Sequence, residues 1–325
     1  SAAEVVRHLG CVQSQLHDMA LWSLARRLPG ATLAGLQASF DDGEFLRTHV
    51  LRPTWHFVDI ADVHWLQALT GPRVRRLVET TNRSIGLTTD VVDRAVAVVV
   101  EALADGRPRT RAELAAAVEE AGLPLPGQAM AHVLISAETD ALIVNGPMRG
   151  KQHTYRLLPP GPALPTRDEM LADIARRYAR GHGPFRDKDL AWWTSLTLTD
   201  SRRAIDLGQL RPVDEGCWTA DEPVDADIPL VMLLPNYDEY ISYARDPDDF
   251  TAFGGAATDI LRGTGLLMVH GRLAGLWGRT ITARRVTVEI AAAPRLTAPL
   301  RRALDDEAAA YGRFLERDAE VRLVG

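Results

Sequence analysis

TRAELAAAVEEAGLPLPGQAMAHVLISAETDALIVNGPMRGKQHTYRLL, residues 110–158, carries in order a capped helix, a turn, a second helix and a two-stranded ribbon. Thr110 and Glu113 have capping-box spacing, which predicts a helix over 111–121. Gly122 to Gly127 then turn the chain into a second helix ending near Asp140. Two strands follow, 141–145 and 153–158, joined through Gly146, Pro147 and Gly150. Arg149 and Lys151 stand at the tip of that connection. Two helices followed by a ribbon with a basic tip is the pattern of a winged helix, and a basic tip suits contact with phosphate.

The flanking sequence repeats the pattern. Residues 1–88 read as a helix, a loop containing Gln13-Ser14-Gln15, two further helices, and two short strands at 47–51 and 54–58 broken by Pro53. Val92, Ala95, Val96, Val99, Ala102 and Leu103 recur at helical spacing and make 89–104 a packing helix. After a proline-rich linker at 158–165, Thr166 and Glu169 form another capping box that opens a helix over 168–179. A short helix through Asp189, Leu190, Trp192 and Trp193 and a third from about 199 to 207 complete that block, with the tryptophan pair as its core and rim.

Beyond residue 212 the pattern turns to strands, at 230–234, 265–269, 272–276 and 285–290. His270-Gly271 predicts a tight hairpin with Arg272 at its end. A last amphipathic helix carries Leu300, Leu304, Ala308, Tyr311 and Leu315 on one stripe. The expected fold is therefore α+β: three tandem winged-helix motifs (1–88, 89–160 and 161–212) followed by a small C-terminal β-barrel domain (213–325).

With 325 residues, 46% of them hydrophobic and 25% charged, the chain can bury sizeable cores without staples. Cys11 and Cys217 are far apart and match neither a zinc site nor a disulfide framework, so a reducing cytoplasm is the expected setting. His49, His56 and His64 fit no common ligand spacing, and no metal is expected. No apolar run approaches membrane-span length. The net charge of −6 is unevenly placed: residues 1–212 carry 25 Lys and Arg against 24 Asp and Glu, and residues 213–325 carry 12 against 19. The acidic excess thus belongs to the C-terminal third and leaves DNA binding open to the rest. Arg73, Arg75 and Arg76, and Arg176, Arg177, Arg180 and His182, form two basic clusters, each readable as a phosphate contact or as a solvated helix face.

Gln13 and Gln15 are the candidate site of chemistry. A neutral amide does not titrate near pH 7, yet it offers an acceptor and a donor, so two of them can hold a water in a fixed orientation. Thr54 and His56 fall on the strands of the same block and are candidates to flank the site; a hydrogen-bonded structural role for His56 is the plainer alternative. Asp18 reads as the cap of a helix starting at Met19.

Four stretches together resemble the bacterial AlkZ-type DNA glycosylases. They are Gln13-Ser14-Gln15 with Ala20-Leu21-Trp22-Ser23-Leu24, Arg52-Pro53-Thr54-Trp55-His56, Gly150-Lys151-Gln152-His153-Thr154-Tyr155, and Leu234-Pro235-Asn236-Tyr237-Asp238-Glu239-Tyr240. The resemblance implies tandem winged helices bent into a C-shape, a C-terminal barrel, and Gln13 and Gln15 as the catalytic residues. It also implies a monofunctional glycosylase acting on N7-alkylated purines, bulky adducts and interstrand crosslinks included, in self-resistance to a DNA-alkylating natural product. Gln15, where other members have Asp, places the chain with the crosslink-processing branch. Ser14 departs from the usual apolar middle residue. The expected partner is alkylated double-stranded DNA, bound by a monomer in the cytoplasm and at the nucleoid, without metal or organic cofactor. Arg149, Lys151, Arg73, Arg76 and Arg272 are the candidate DNA contacts.

The rival reading is a non-catalytic winged-helix regulator. Such a protein usually pairs over two half-sites, and no heptad pattern here supplies a dimer helix. A serine hydrolase built on Ser14 is disfavoured because no Gly-x-Ser-x-Gly elbow surrounds it. No lysine lies near the glutamines, so a Schiff-base lyase step is not expected.

Overall fold

The computed structural model describes residues 1–125, 127–221, 227–244, 265–291 and 297–324. The chain divides into two compact units, one of residues 2–13 and 39–221, the other of residue 1, 14–38 and 222–325.

The larger unit holds three blocks. In the first, α1 (Ala2–Leu9) leads into β1 (Cys11–Gln13), which joins β2 (Leu46–His49) and β3 (Trp55–Val58) in an antiparallel sheet ordered β1-β3-β2. Gly10 makes the turn from α1 to β1 at φ +83, and a Cβ there would lie 3.2 Å from the Trp193 ring. Only glycine meets both demands without strain, and the turn sets the path of β1 to Gln13. Phe40, Phe45 and Phe57 pack against one another under this sheet. The long helix α4 (Val63–Ser84) follows β3.

The second block contains α5 (Thr89–Ala102), β4 (Arg109–Thr110), α6 (Arg111–Glu120), α7 (Ala129–Thr139), β5 (Ile143–Arg149) and β6 (Gln152–Leu157), with its sheet ordered β4-β6-β5. The expected capping box is present: Thr110 Oγ1 accepts from the Glu113 amide, and the Glu113 carboxylate accepts from the Thr110 amide. Val92, Ala95, Val96 and Val99 enter one core with Leu114, Val133 and Ile143, which is why the apolar stripe of 89–104 is packing surface. Gly150 turns the β5–β6 ribbon at φ +63.

The third block has α8 (Arg167–His182), α9 (Asp187–Thr194), α10 (Leu198–Gly208) and a hairpin of β7 (Arg211–Asp214) and β8 (Cys217–Thr219). Trp193 is buried and Trp192 is 44% exposed, so the pair does form core and rim.

The smaller unit contains α2 (His17–Ala25), a five-stranded sheet and α11 (Ala298–Leu315). Its strands are β9 (Val231–Leu234), β10 (Gly265–Val269), β11 (Arg272–Ile281), β12 (Arg285–Ala291) and β13 (Asp318–Val324), ordered β13-β12-β11-β10-β9. His270 and Gly271, at φ 48 and 72, form the expected two-residue hairpin between β10 and β11. The expected closed barrel is corrected: among the described residues the sheet is open, with β9 and β13 at its edges. The physical reason is the crossover through α11, which returns β13 parallel to β12 on its outer side. Helix α3 spans Leu33–Asp41. The protein is thus a mixed helix-and-strand chain with largely antiparallel pairing.

Candidate active site

Gln13 ends β1, half-buried after the fully buried Cys11 and Val12. Its Cα is paired with His56 on β3, which places both side chains on one face of the sheet, while Trp55 and Phe57 point to the other. Arg52 completes the group. Its Nη2 donates to Gln13 Oε1 at 2.8 Å and lies 3.4 Å from His56 Nε2. His56 Nδ1 is 3.0 Å from the Thr54 carbonyl. A carbonyl only accepts and a guanidinium only donates, so these contacts assign the neutral tautomer with its proton on Nδ1 and its lone pair on Nε2. By the same logic the Gln13 amide faces Arg52 with its oxygen.

The turn carrying Arg52 is held against local preference. Leu51, fully buried, sits at φ 65, a conformation costly for a side chain with a Cβ. Its N–H donates to Thr70 Oγ1 on α4 at 3.2 Å. On either side the amides of Arg52 and Thr54 donate back two residues, to Val50 and Arg52 carbonyls, each at 2.7 Å. The guanidinium of Arg52 then lies over the indole of Trp192 at 4.3 Å from the ring centroid. Thr54 Oγ1 is buried with no hydrogen-bond partner among the described residues.

Gln15 is two residues further on and exposed, with Ser14 between them fully buried. The middle residue therefore points inward although it is a serine. Asp18 is not the helix cap: α2 starts at His17, Leu16 is the N-cap residue without a side-chain bond, and Asp18 is exposed in the first turn. There it still suits the positive end of the helix.

The smaller unit anchors α2 through polar contacts that sequence reasoning missed. Trp22 Nε1 donates to the Leu233 carbonyl at 2.8 Å, and its ring meets Tyr311 and Phe314 at 5.0 and 5.2 Å. Arg26 pairs with Glu307, which also accepts from the Leu233 amide. Asp238 is buried and accepts from Ser23 Oγ and from both Nη atoms of Arg27. Burial by itself would raise this carboxyl, but Arg27, Ser23 and the Tyr240 amide hold it below the ordinary carboxylate range. Asp238 is thus an anchor in this unit, where the sequence left its role open.

The candidate phosphate contacts are dispersed over both units. Arg149, at the end of β5, donates to Glu113 Oε1 and to the Pro108 carbonyl, both at 2.7 Å. Hydrogen bonds from the Thr110 amide and the Arg149 side chain bring the Glu113 carboxyl down to about 2. Lys151 is exposed just past the turn. Arg73 and Arg76 are exposed on α4, whereas Arg75 between them is engaged with Asp140 and Asp93. In the other cluster Arg177 pairs with Asp62 at 2.5 Å, and His182 is buried against Tyr178. Arg272 opens β11, exposed, beside the hairpin turn.

His49, His56 and His64 do not converge: His49 meets Glu138, His56 the Thr54 carbonyl, and His64 the Pro159 carbonyl. Among the described residues no group of three or more His, Cys, Asp and Glu side chains is arranged to hold a metal. A cavity of about 640 Å³ is lined by Arg47, Trp55, His153 and Tyr155 among others. It lies on Trp55's side of β3, opposite Gln13 and His56, so it is separate from the glutamine site. No helix of the described residues is long and apolar enough to cross a membrane.

The model of the AlkZ-like family, described as DNA glycosylase AlkZ-like, matches residues 6–314. The fold is similar to the solved structure of Streptomyces sahachiroi DNA glycosylase AlkZ, with a TM-score of 0.77 and 23% sequence identity over 100% of this chain and 94% of that one. No curated protein matches the chain. With a glutamine held by an arginine on a sheet face, and a family match spanning nearly all its length, this chain belongs to the AlkZ-like DNA glycosylase family.

Proposed function

We propose that the protein is a monofunctional DNA glycosylase that hydrolyses the N-glycosidic bond of N7-alkylated purines, with bulky adducts and interstrand crosslinks among its substrates. The observation that carries this reading is the fixed amide of Gln13, bonded to Arg52 and in register with His56. N7 alkylation puts a positive charge on the purine. When the C1′–N9 bond breaks, its electron pair neutralises that charge, so the base leaves without strong acid catalysis. The sugar develops oxocarbenium character, a water adds at C1′, and its proton passes to solvent, leaving an abasic site and the free alkylated base. Gln13 and Gln15 act by positioning and dipolar stabilisation, because neither titrates. A base tied to the opposite strand cannot rotate into a pocket, so the reaction takes place on stacked duplex.

In this reading the three blocks are winged-helix units that hold phosphate, with Lys151, Arg149, Arg73, Arg76 and Arg272 as contacts, Thr54 and His56 flanking the glutamines, and the protein acting as a monomer. Self-resistance to a DNA-alkylating natural product is the biological role that fits such a substrate.

The test is single-turnover incubation with a duplex carrying one N7-alkylguanine, scored by alkaline strand cleavage against spontaneous depurination. Cleavage by wild type that falls in both Gln13→Ala and Gln15→Ala while DNA binding persists supports the reading. Absence of cleavage on simple and bulky N7 lesions, with intact DNA bound in a sequence-dependent way, would replace it with the regulator.

A further inference from the structure

A glutamine amide has two orientations of nearly equal shape, and only one presents the correct group to a bound water. Gln13 lies at the end of its strand, half-exposed, and the backbone alone does not choose between them. Arg52 does. A guanidinium has no lone pair, so only Gln13 Oε1 can face Nη2 at 2.8 Å. The flipped amide would set NH2 against a cation and lose a charge-assisted bond, which disfavours it by roughly ten- to a hundredfold. Arg52 is itself built in: Leu51 at φ 65 aims it, Thr70 holds the Leu51 amide, and the indole of Trp192 covers its face. One nitrogen of the guanidinium, Nη2, and its face thus serve the protein's own residues.

We propose that Arg52 is the positioning residue of the site, fixing the Gln13 amide with its oxygen toward the guanidinium, and that Trp192 steadies Arg52 in that pose. This rests on the reading of Gln13 as a water-positioning residue.

The experiment measures single-turnover cleavage and duplex affinity, on DNA carrying one N7-alkylguanine, for Arg52→Met, Arg52→Lys, Gln13→Ala and the double variant Arg52→Met with Gln13→Ala. Arg52→Met is expected to slow the chemical step roughly ten- to a hundredfold while affinity changes by less than about twofold. Arg52→Lys, which keeps one charged donor, should recover part of the rate. In the Gln13→Ala background Arg52→Met should slow nothing further, because its effect passes through that amide. Full activity in Arg52→Met, a loss confined to affinity, or a second independent loss in the double variant would each overturn the proposal. A fully active Gln13→Ala would instead remove the catalytic reading beneath it. Should Arg52→Met not fold, Trp192→Leu carries the same prediction at smaller size, with an unchanged melting temperature as the control.

Discussion

The buried carboxylate of Asp238 receives both Nη atoms of Arg27, at 2.7 and 3.0 Å, and with Ser23 it ties α2 to the loop after β9. Asp238→Asn keeps the shape but leaves Arg27 without its counter-charge. Removing one partner of such a pair should cost about 3 kcal/mol at neutral pH, read by urea denaturation.

The same carboxyl sets a pH dependence. Its folded pKa lies below the ordinary range, so its stabilisation is complete above the unfolded value near ~3.9 and is lost as pH falls through the folded value. The stability gap between wild type and Asp238→Asn should therefore stay constant from pH 7 to about pH 4 and narrow below it. A gap that closed between pH 5 and 7 would contradict the assignment.

Trp22 provides the apolar half of the same anchor. Trp22→Phe loses the bond to the Leu233 carbonyl but keeps a ring against Tyr311 and Phe314, and should cost about 1–2 kcal/mol. Trp22→Ala removes both and should cost about 3–5 kcal/mol. Equal losses in the two variants would show that the hydrogen bond, not the ring, dominates.

What was legible in the sequence was local. The capping boxes at Thr110 and Thr166, the Gly150 turn and the His270-Gly271 hairpin are each fixed by residues within a few positions, and all stand where the pattern put them. The open edge of the sheet was not legible, because closure depends on which strands pair at long range. Strand β13 alternates Asp318, Glu320 and Arg322 with small or apolar residues and gives little apolar signal, yet it adds to the sheet beside β12. Arg52 was visible only as part of a motif. Its bond to Gln13 spans 39 residues and depends on a left-handed leucine that no glycine or asparagine announces. The bond from Ser23 to Asp238 spans 215.

The ribbon tip offers a charge prediction. Glu113, with its pKa at about 2, is ionised throughout the neutral range and holds Arg149. Glu113→Gln should loosen that grip and leave Arg149 available to phosphate, tightening duplex binding. Lys151→Ala should weaken binding and lower the slope of log affinity against log salt by about 0.9, the share of one phosphate contact. An unchanged slope in Lys151→Ala would take the tip out of the interface.

Thr70 links stability to the site most directly. Its hydroxyl accepts the buried Leu51 amide and donates to the Leu66 carbonyl, so it braces the turn that carries Arg52. Thr70→Val keeps the volume but leaves that amide unsatisfied, which should cost about 1–3 kcal/mol. A left-handed leucine deprived of its brace can relax toward ordinary backbone, and Arg52 would move with it. Thr70→Val should therefore slow single-turnover cleavage at temperatures where the variant is still fully folded. Thr70→Ser, which restores the hydroxyl and loses only a methyl group, should recover the rate. A variant that is destabilised but cleaves at the wild-type rate would show that the turn keeps its shape without Thr70, and that its strain is held by the packing of Leu51 alone.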